Sequence, residues 1–152
     1  MAENNDLTVD LELVLKQKFG FSSFRFPQKQ IIERVIGGES LLALMPTGAG
    51  KSLTYQFYSA LCTQTADGIF TEIVLVVSPL IALMQDQTQK ALDFGLSATF
   101  INSSISAQEK QNRMKHVSNG KYQLLFVTPE RFRKEEFWAC LKGIKVKLFV
   151  VD

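Results

Sequence analysis

Eight consecutive residues, Met45-Pro46-Thr47-Gly48-Ala49-Gly50-Lys51-Ser52, hold the densest chemistry in this chain. Gly48 and Gly50 can adopt backbone conformations closed to other residues, so Thr47, Ala49 and their neighbours can turn successive N–H groups toward one anion. Lys51 adds a full positive charge, and the Ser52 hydroxyl is a ligand for a hard cation such as Mg2+. An apolar run, Leu41-Leu42-Ala43-Leu44, precedes the turn, and a segment with helical character follows it. Strand, glycine-rich turn, Lys-Ser and helix in that order form a loop that cradles a nucleoside triphosphate such as ATP. The strict pattern asks for glycine where this chain has Met45. A dinucleotide loop is excluded, because no third glycine follows at the required offset.

The 152 residues carry a net charge of +2 and enough apolar side chains for one core. No apolar run approaches the length needed to cross a bilayer, and the polar, acidic first residues argue against a secretory signal. Cys62 and Cys140 stand far apart without a second pair, the usage of a reducing cytosol rather than of a disulfide or metal site. His116 stands alone in a polar segment and receives no role. Charge is uneven along the chain. Between Glu109 and Lys147, ten Lys/Arg face four Glu, an excess that suits nucleic acid as well as a solvated surface.

Elements must position these groups. Leu11, Val14, Leu15 and Phe19 recur at helical spacing, predicting a helix that ends near Gly20. A second helix is expected over 27–35, with Gly37-Gly38 past its end. Strands are then expected at 41–45, 73–78, 98–101, 123–128 and 146–151, alternating with helices at 50–62, 80–94, 107–117 and 131–141. Residues 63–71 read as a mobile surface loop. This alternation predicts a three-layer α/β domain around a mainly parallel sheet. Residues 1–36 form an N-terminal helical segment, and 37–152 the nucleotide-binding domain proper. In such sheets ligands bind at the carboxyl ends of the strands. Those ends here carry the glycine loop, Ser78-Pro79-Leu80, Asn102-Ser103, Thr128-Pro129-Glu130-Arg131 and Asp152.

Taken together, these segments resemble the first RecA-like motor domain of RecQ-type DNA helicases, a P-loop NTPase fold. The resemblance rests on Phe19-Gly20-Phe21-Ser22-Ser23-Phe24-Arg25-Phe26-Pro27-Gln28, on the loop at 45–52, on Val77-Ser78-Pro79-Leu80-Ile81-Ala82-Leu83-Met84-Gln85-Asp86-Gln87 and on Phe126-Val127-Thr128-Pro129-Glu130-Arg131-Phe132. It runs from about residue 11 to the last residue. The first segment points to RecQ rather than to DEAD-box RNA helicases. The resemblance implies that Gln28 reads the adenine edge, since an amide offers one donor and one acceptor. It implies that Phe21 and Arg25 stack on the base, with phenylalanine standing where many relatives have tyrosine. Ser78, Thr128 and Arg131 would hold the phosphates of single-stranded DNA or of a duplex fork, without reading sequence.

Leu148-Phe149-Val150-Val151-Asp152 resembles the start of the Walker B element, whose aspartate holds Mg2+. In the family Glu-Ala-His follows, and its glutamate serves the attacking water. The chain ends on Asp152, so the resemblance implies the N-terminal part of a motor domain, incomplete at its C-terminus. Its missing partner would be the second motor domain, with an arginine for the γ-phosphate. The expectation is an ATP- and Mg2+-binding piece of a 3′→5′ DNA helicase, working in the cytosol, nucleoid or nucleus. On its own it would neither hydrolyse ATP efficiently nor unwind DNA. The alternatives are a truncated nucleotide- or nucleic-acid-binding protein without turnover, and a P-loop kinase. The kinase explains 41–52 but not 77–87 or 126–132.

Overall fold

The computed structural model describes residues 9–152. Asp10 caps α1 (Leu11–Val14), its carboxylate accepting from the Leu13 N–H at 3.0 Å. A π-turn over Leu15–Phe19 carries the helix on to Gly20, whose left-handed backbone (φ 73°) ends it. Leu11, Leu15 and Phe19 are buried, as the helical spacing predicts. Pro27 precedes α2 (Gln28–Ile36), and α3 (Lys51–Ser59) starts directly from Gly50. The remaining elements are β1 (Glu72–Val77), α4 (Ile81–Asp93), β2 (Ala98–Ile101), α5 (Ala107–Ser118), β3 (Leu124–Val127), α6 (Glu135–Leu141) and β4 (Lys145–Val151).

The four strands are parallel and lie in the order β2-β3-β1-β4. Alternation along each strand feeds two cores. Val74, Val76, Leu124 and Phe126 join Leu15, Ile32, Phe57 and Met84 on one face. Ile73, Leu75, Leu125 and Val127 join Met114, Val117, Phe137 and Leu141 on the other. Helices α1 to α4 thus cover one side and α5 and α6 the other, which is the expected three-layer arrangement. Val77 pairs with both Val127 and Val151, and Ile101 pairs with Val127. The next residues, Asn102, Thr128, Ser78 and Asp152, therefore stand in line along one rim. The Ser78 N–H donates to Val127 O at 3.0 Å, and the Asp152 N–H to Val77 O at 2.9 Å.

Three expectations are corrected. Residues 41–45 form no strand. Alternate side chains do turn inward, but Leu42 and Leu44 are 85% and 84% exposed. A cavity of about 480 Å³ lies between 41–43 and the outer edge of β4. A strand requires a ladder partner as well as an apolar pattern, and β4 is paired only on its β1 side. The helix expected at 131–141 is broken in two, a 3-10 turn over Pro129–Arg133 and then α6, with Lys134 extended between them. The break brings Phe132 edge-on to Phe137 at 5.3 Å. In a continuous helix, residues five apart point about 140° away from each other. Residues 63–71 are not loose: Thr71 N–H donates to Thr63 O, Thr65 N–H to Ile69 O, and Phe70 is buried.

Both cysteines are free. Burial pushes the Cys62 thiol up to about 12 and the Cys140 thiol to about 11, so neither is a reactive thiolate at neutral pH. Among the described residues, no helix is long and apolar enough to cross a membrane.

Candidate nucleotide and nucleic-acid site

The glycine loop takes the conformation its residue types anticipate. Gly48 (φ 82°) and Gly50 (φ 79°) are both left-handed, and no side chain caps the first turn of α3. Ala49 N–H donates to Pro46 O, which closes the turn. The uncapped helix start leaves backbone amides and a partial positive charge beside Lys51 and Ser52.

Lys51 Nζ lies 3.0 Å from Asp152 Oδ1. The two residues reach each other because α3 leaves the loop at the same rim where β4 ends. Lys51 is half exposed, whereas the Asp152 side chain is mostly covered. An ammonium, a hydroxyl, a carboxylate and glycine-turned amides form a donor set that fits a triphosphate carrying Mg2+. Lys51 and the amides would take phosphate oxygens, and Ser52 and Asp152 the cation.

Gln28 and Arg25 come from the N-terminal segment to the same loop. Gln28 is buried, and both ends of its amide are engaged. Its Oε1 accepts from the Arg25 N–H at 2.8 Å, while Nε2 donates to Gly50 O at 3.0 Å and to Ala49 O at 3.4 Å. Arg25 adds a long contact from its guanidinium to Gly48 O at 3.5 Å. Phe21 takes a different place. Its ring lies edge-on to Phe94 at 6.1 Å, just past the C-terminal end of α4, and is partly exposed. The first segment is thus divided, with two polar residues on the loop and the aromatic one on a neighbouring helix.

On the rim, the Ser78 hydroxyl accepts from the Leu80 N–H at 3.3 Å and shapes the turn into α4. Thr128 is buried, and its hydroxyl donates to Glu130 Oε1 at 2.6 Å. That bond is the main cause holding the Glu130 carboxyl below its usual range, with its own N–H and the charges of Arg131 and Arg133 adding to it. Arg131 is only 9% exposed, and its buried Nε has no partner among the described residues. Part of the basic excess over 109–147 is paired within the protein. Arg113 pairs with Glu109, while Lys145 and Lys147 pair with Glu72 at the opposite end of the sheet.

Two residues to which the sequence reading gave no role, Tyr55 and Gln87, stand behind the loop. Tyr55 follows Lys51 by one helical turn and is buried beneath it. Its hydroxyl lies 3.3 Å from Asp152 Oδ2 and donates to Gln87 Oε1 on α4. Burial pushes the Tyr55 phenol up, the Ser52 hydroxyl opposes this, and the charge of Asp152 adds to the rise. The i, i+4 spacing from Lys51 was the one available signal for Tyr55, whereas Gln87 closes the Val77–Gln87 segment that carries the resemblance, without a role attached to it.

The model of the DEAD/DEAH box helicase family matches residues 25–152. The chain is 37% identical over 139 residues to the ATP-dependent DNA helicase RecQ of Haemophilus influenzae, covering 91% of this chain and 21% of the relative. It is 40% identical over 131 residues to the ATP-dependent DNA helicase Q-like 4B of Arabidopsis thaliana, covering 85% of this chain and 11% of the relative. The chain thus spans about a fifth of the first relative's length and about a tenth of the second's. The crystal structure of a hypothetical ATP-dependent RNA helicase from Sulfolobus tokodaii shares the fold, with a TM-score of 0.65 at 20% identity, over 93% of this chain and 40% of that one. Sequence and fold agree: the chain belongs to the DEAD/DEAH box helicase family, and its relatives include RecQ-type DNA helicases.

Proposed function

We propose that this chain supplies the ATP-binding part of the first motor domain of a RecQ-type, 3′→5′ DNA helicase. The observation that carries the reading is the 3.0 Å approach of Lys51 to Asp152 at the mouth of the glycine loop. It joins a phosphate-binding cation and a metal-binding acid from opposite ends of the domain. Bound Mg·ATP supplies the phosphoanhydride whose binding and cleavage drive movement. Lys51 and the amides around Gly48–Gly50 would hold its phosphate charge, and Ser52 and Asp152 are the residues that would hold the cation. Gln28 and Arg25 reach the loop where the base would extend, whereas Phe21, against Phe94, would have to leave that contact to stack on it. For Gln28 to read adenine, its amide must exchange the loop carbonyls for the base.

Ser78, Thr128 and Arg131 form a track along the rim for the phosphates of single-stranded or fork DNA, which supports affinity without sequence preference. The second motor domain is the partner that completes the nucleotide cleft. Phosphoryl transfer also needs an oriented water and, in related NTPases, an arginine contributing about 10³–10⁵ in rate. The protein works where chromosomal DNA is found. The deciding experiment is calorimetry of the chain with ATP and GTP, with and without Mg2+. Preference for Mg·ATP, lost in Lys51→Ala, supports the reading; equal, Lys51-independent heats for both nucleotides refute it.

A further inference from the structure

Asp152 is held from two sides. Its Oδ1 faces Lys51 Nζ at 3.0 Å, and its Oδ2 faces the Tyr55 hydroxyl at 3.3 Å. The same hydroxyl contacts Gln87 Oε1 on α4. A phenol has one proton, so Tyr55 donates to Gln87 or to Asp152 but not to both. While Lys51 compensates the carboxylate, the phenol proton is free to serve Gln87. When Lys51 turns toward a phosphate, Asp152 Oδ1 is freed for a cation and Oδ2 is left to the Tyr55 hydroxyl to keep the carboxylate oriented. Rotation of the Tyr55 O–H then directs the proton to Oδ2, and the Gln87 amide turns to present its NH2 to the phenol oxygen. No covalent bond changes; two rotors reorient together.

The far end of this chain of contacts is a mechanical element. Gln87 lies in the middle of α4, whose entry turn is shaped by the Ser78 hydroxyl on the rim. Next to Gln87 along the helix, the buried Thr88 hydroxyl has no partner among the described residues. Tyr55 is 3% exposed and its ring lies edge-on to Phe126 at 6.1 Å, so the phenol moves only as the surrounding core moves.

Building on the reading of a nucleotide loop and a DNA track, we propose that Tyr55 is a positioning residue that, with Gln87, couples the metal-binding acid Asp152 to helix α4. Occupation of the rim beside Ser78 and occupation of the loop then favour each other through this relay. Coupling of this kind is reciprocal: whatever factor nucleotide adds to DNA affinity, DNA adds to nucleotide affinity.

The test uses the whole chain with three probes: a fluorescent ATP analogue alone, the same analogue with Mg2+, and a fifteen-residue oligothymidine. Tyr55→Phe keeps the ring and removes only the hydroxyl. It should leave Mg2+-free analogue binding within about twofold. It should cut the Mg2+-dependent gain in affinity by roughly three- to tenfold. Gln87→Met should leave each probe bound alone but reduce toward one the factor by which Mg·analogue strengthens oligothymidine binding. If Tyr55→Phe is unstable because it strands the Gln87 amide, Tyr55→Phe with Gln87→Met replaces both partners and should still lack the Mg2+ gain and the coupling. Variants that melt lower yet keep both ratios would show a merely structural contact and overturn the proposal. Lys51→Ala separates the two levels. If it leaves analogue binding untouched, the nucleotide-loop reading fails and the relay with it. If it abolishes binding while the Tyr55 and Gln87 variants keep both ratios, only the relay fails.

Discussion

Gln28 Nε2 donates to the Gly50 carbonyl at 3.0 Å, so a side chain from the N-terminal segment clasps the turn that starts α3. A Cβ on Gly50 would sit 2.3 Å from that nitrogen, and the backbone there has φ +79°. Gly50→Ala is therefore strained twice, by its backbone and by the clasp. It should lower stability by about 1–2 kcal/mol and weaken nucleotide binding at least tenfold. Thermal melts and calorimetry of the same preparation measure both effects.

Gln28→Ala removes the clasp and leaves the Ala49 and Gly50 carbonyls without this donor. The expected cost is about 1–2 kcal/mol in chemical denaturation. If the amide also reads the base, the same variant flattens any preference for ATP over GTP. Equal affinity of the unmutated chain for the two nucleotides would assign Gln28 to the loop alone.

Lys51→Ala acts mainly on the ligand. The Lys51–Asp152 pair is half exposed on the lysine side, so its loss should shift stability by less than about 1 kcal/mol. Loss of a charge-assisted contact to phosphate should cost about 1.5–3 kcal/mol, or roughly ten- to a hundredfold in affinity for Mg·ATP. A large drop in melting temperature with unchanged affinity would reverse that assignment.

Arg131 reaches the rim with a buried Nε that has no partner among the described residues. If it meets DNA phosphate, Arg131→Ala should weaken binding of single-stranded oligonucleotides of every sequence tested. It should also reduce the slope of log affinity against log salt by about one. Fluorescence anisotropy between low and moderate salt reads both quantities, and an unchanged slope would take Arg131 out of the track.

Glu72 predicts the acid sensitivity of the fold. Burial alone would raise its carboxyl, but the hydrogen bond from Lys147, the Thr63 N–H and the Lys147 charge outweigh it and hold the group at about 2. The folded value lies below the usual 4.5, so the stabilisation is fully present above pH 4.5 and is lost as pH falls toward 2. Glu72→Gln should lower stability by about 2 kcal/mol at pH 7 and shallow the loss between pH 4.5 and 2. Denaturant melts across that range provide the measurement.

Local chemistry was legible in the order of residues. The glycine loop declares itself because left-handed turns need Gly48 and Gly50. Strands β1 to β4 declare themselves because apolar runs of four to seven residues separate helical patterns. Lys51, Ser52 and Asp152 follow from residue type at a loop and at a strand end. Tertiary structure decided what periodicity does not encode. The order β2-β3-β1-β4 leaves residues 41–45 unpaired beside a cavity, since a ladder needs a partner at the right distance. One predicted helix is broken at Lys134, which brings Phe132 onto Phe137. The clasp of Gln28 on Gly50 and the contacts of Tyr55 with Gln87 and Asp152 join residues far apart in the chain. Hydrogen bonds of that kind depend on where folded elements cross, which no local pattern of side chains specifies.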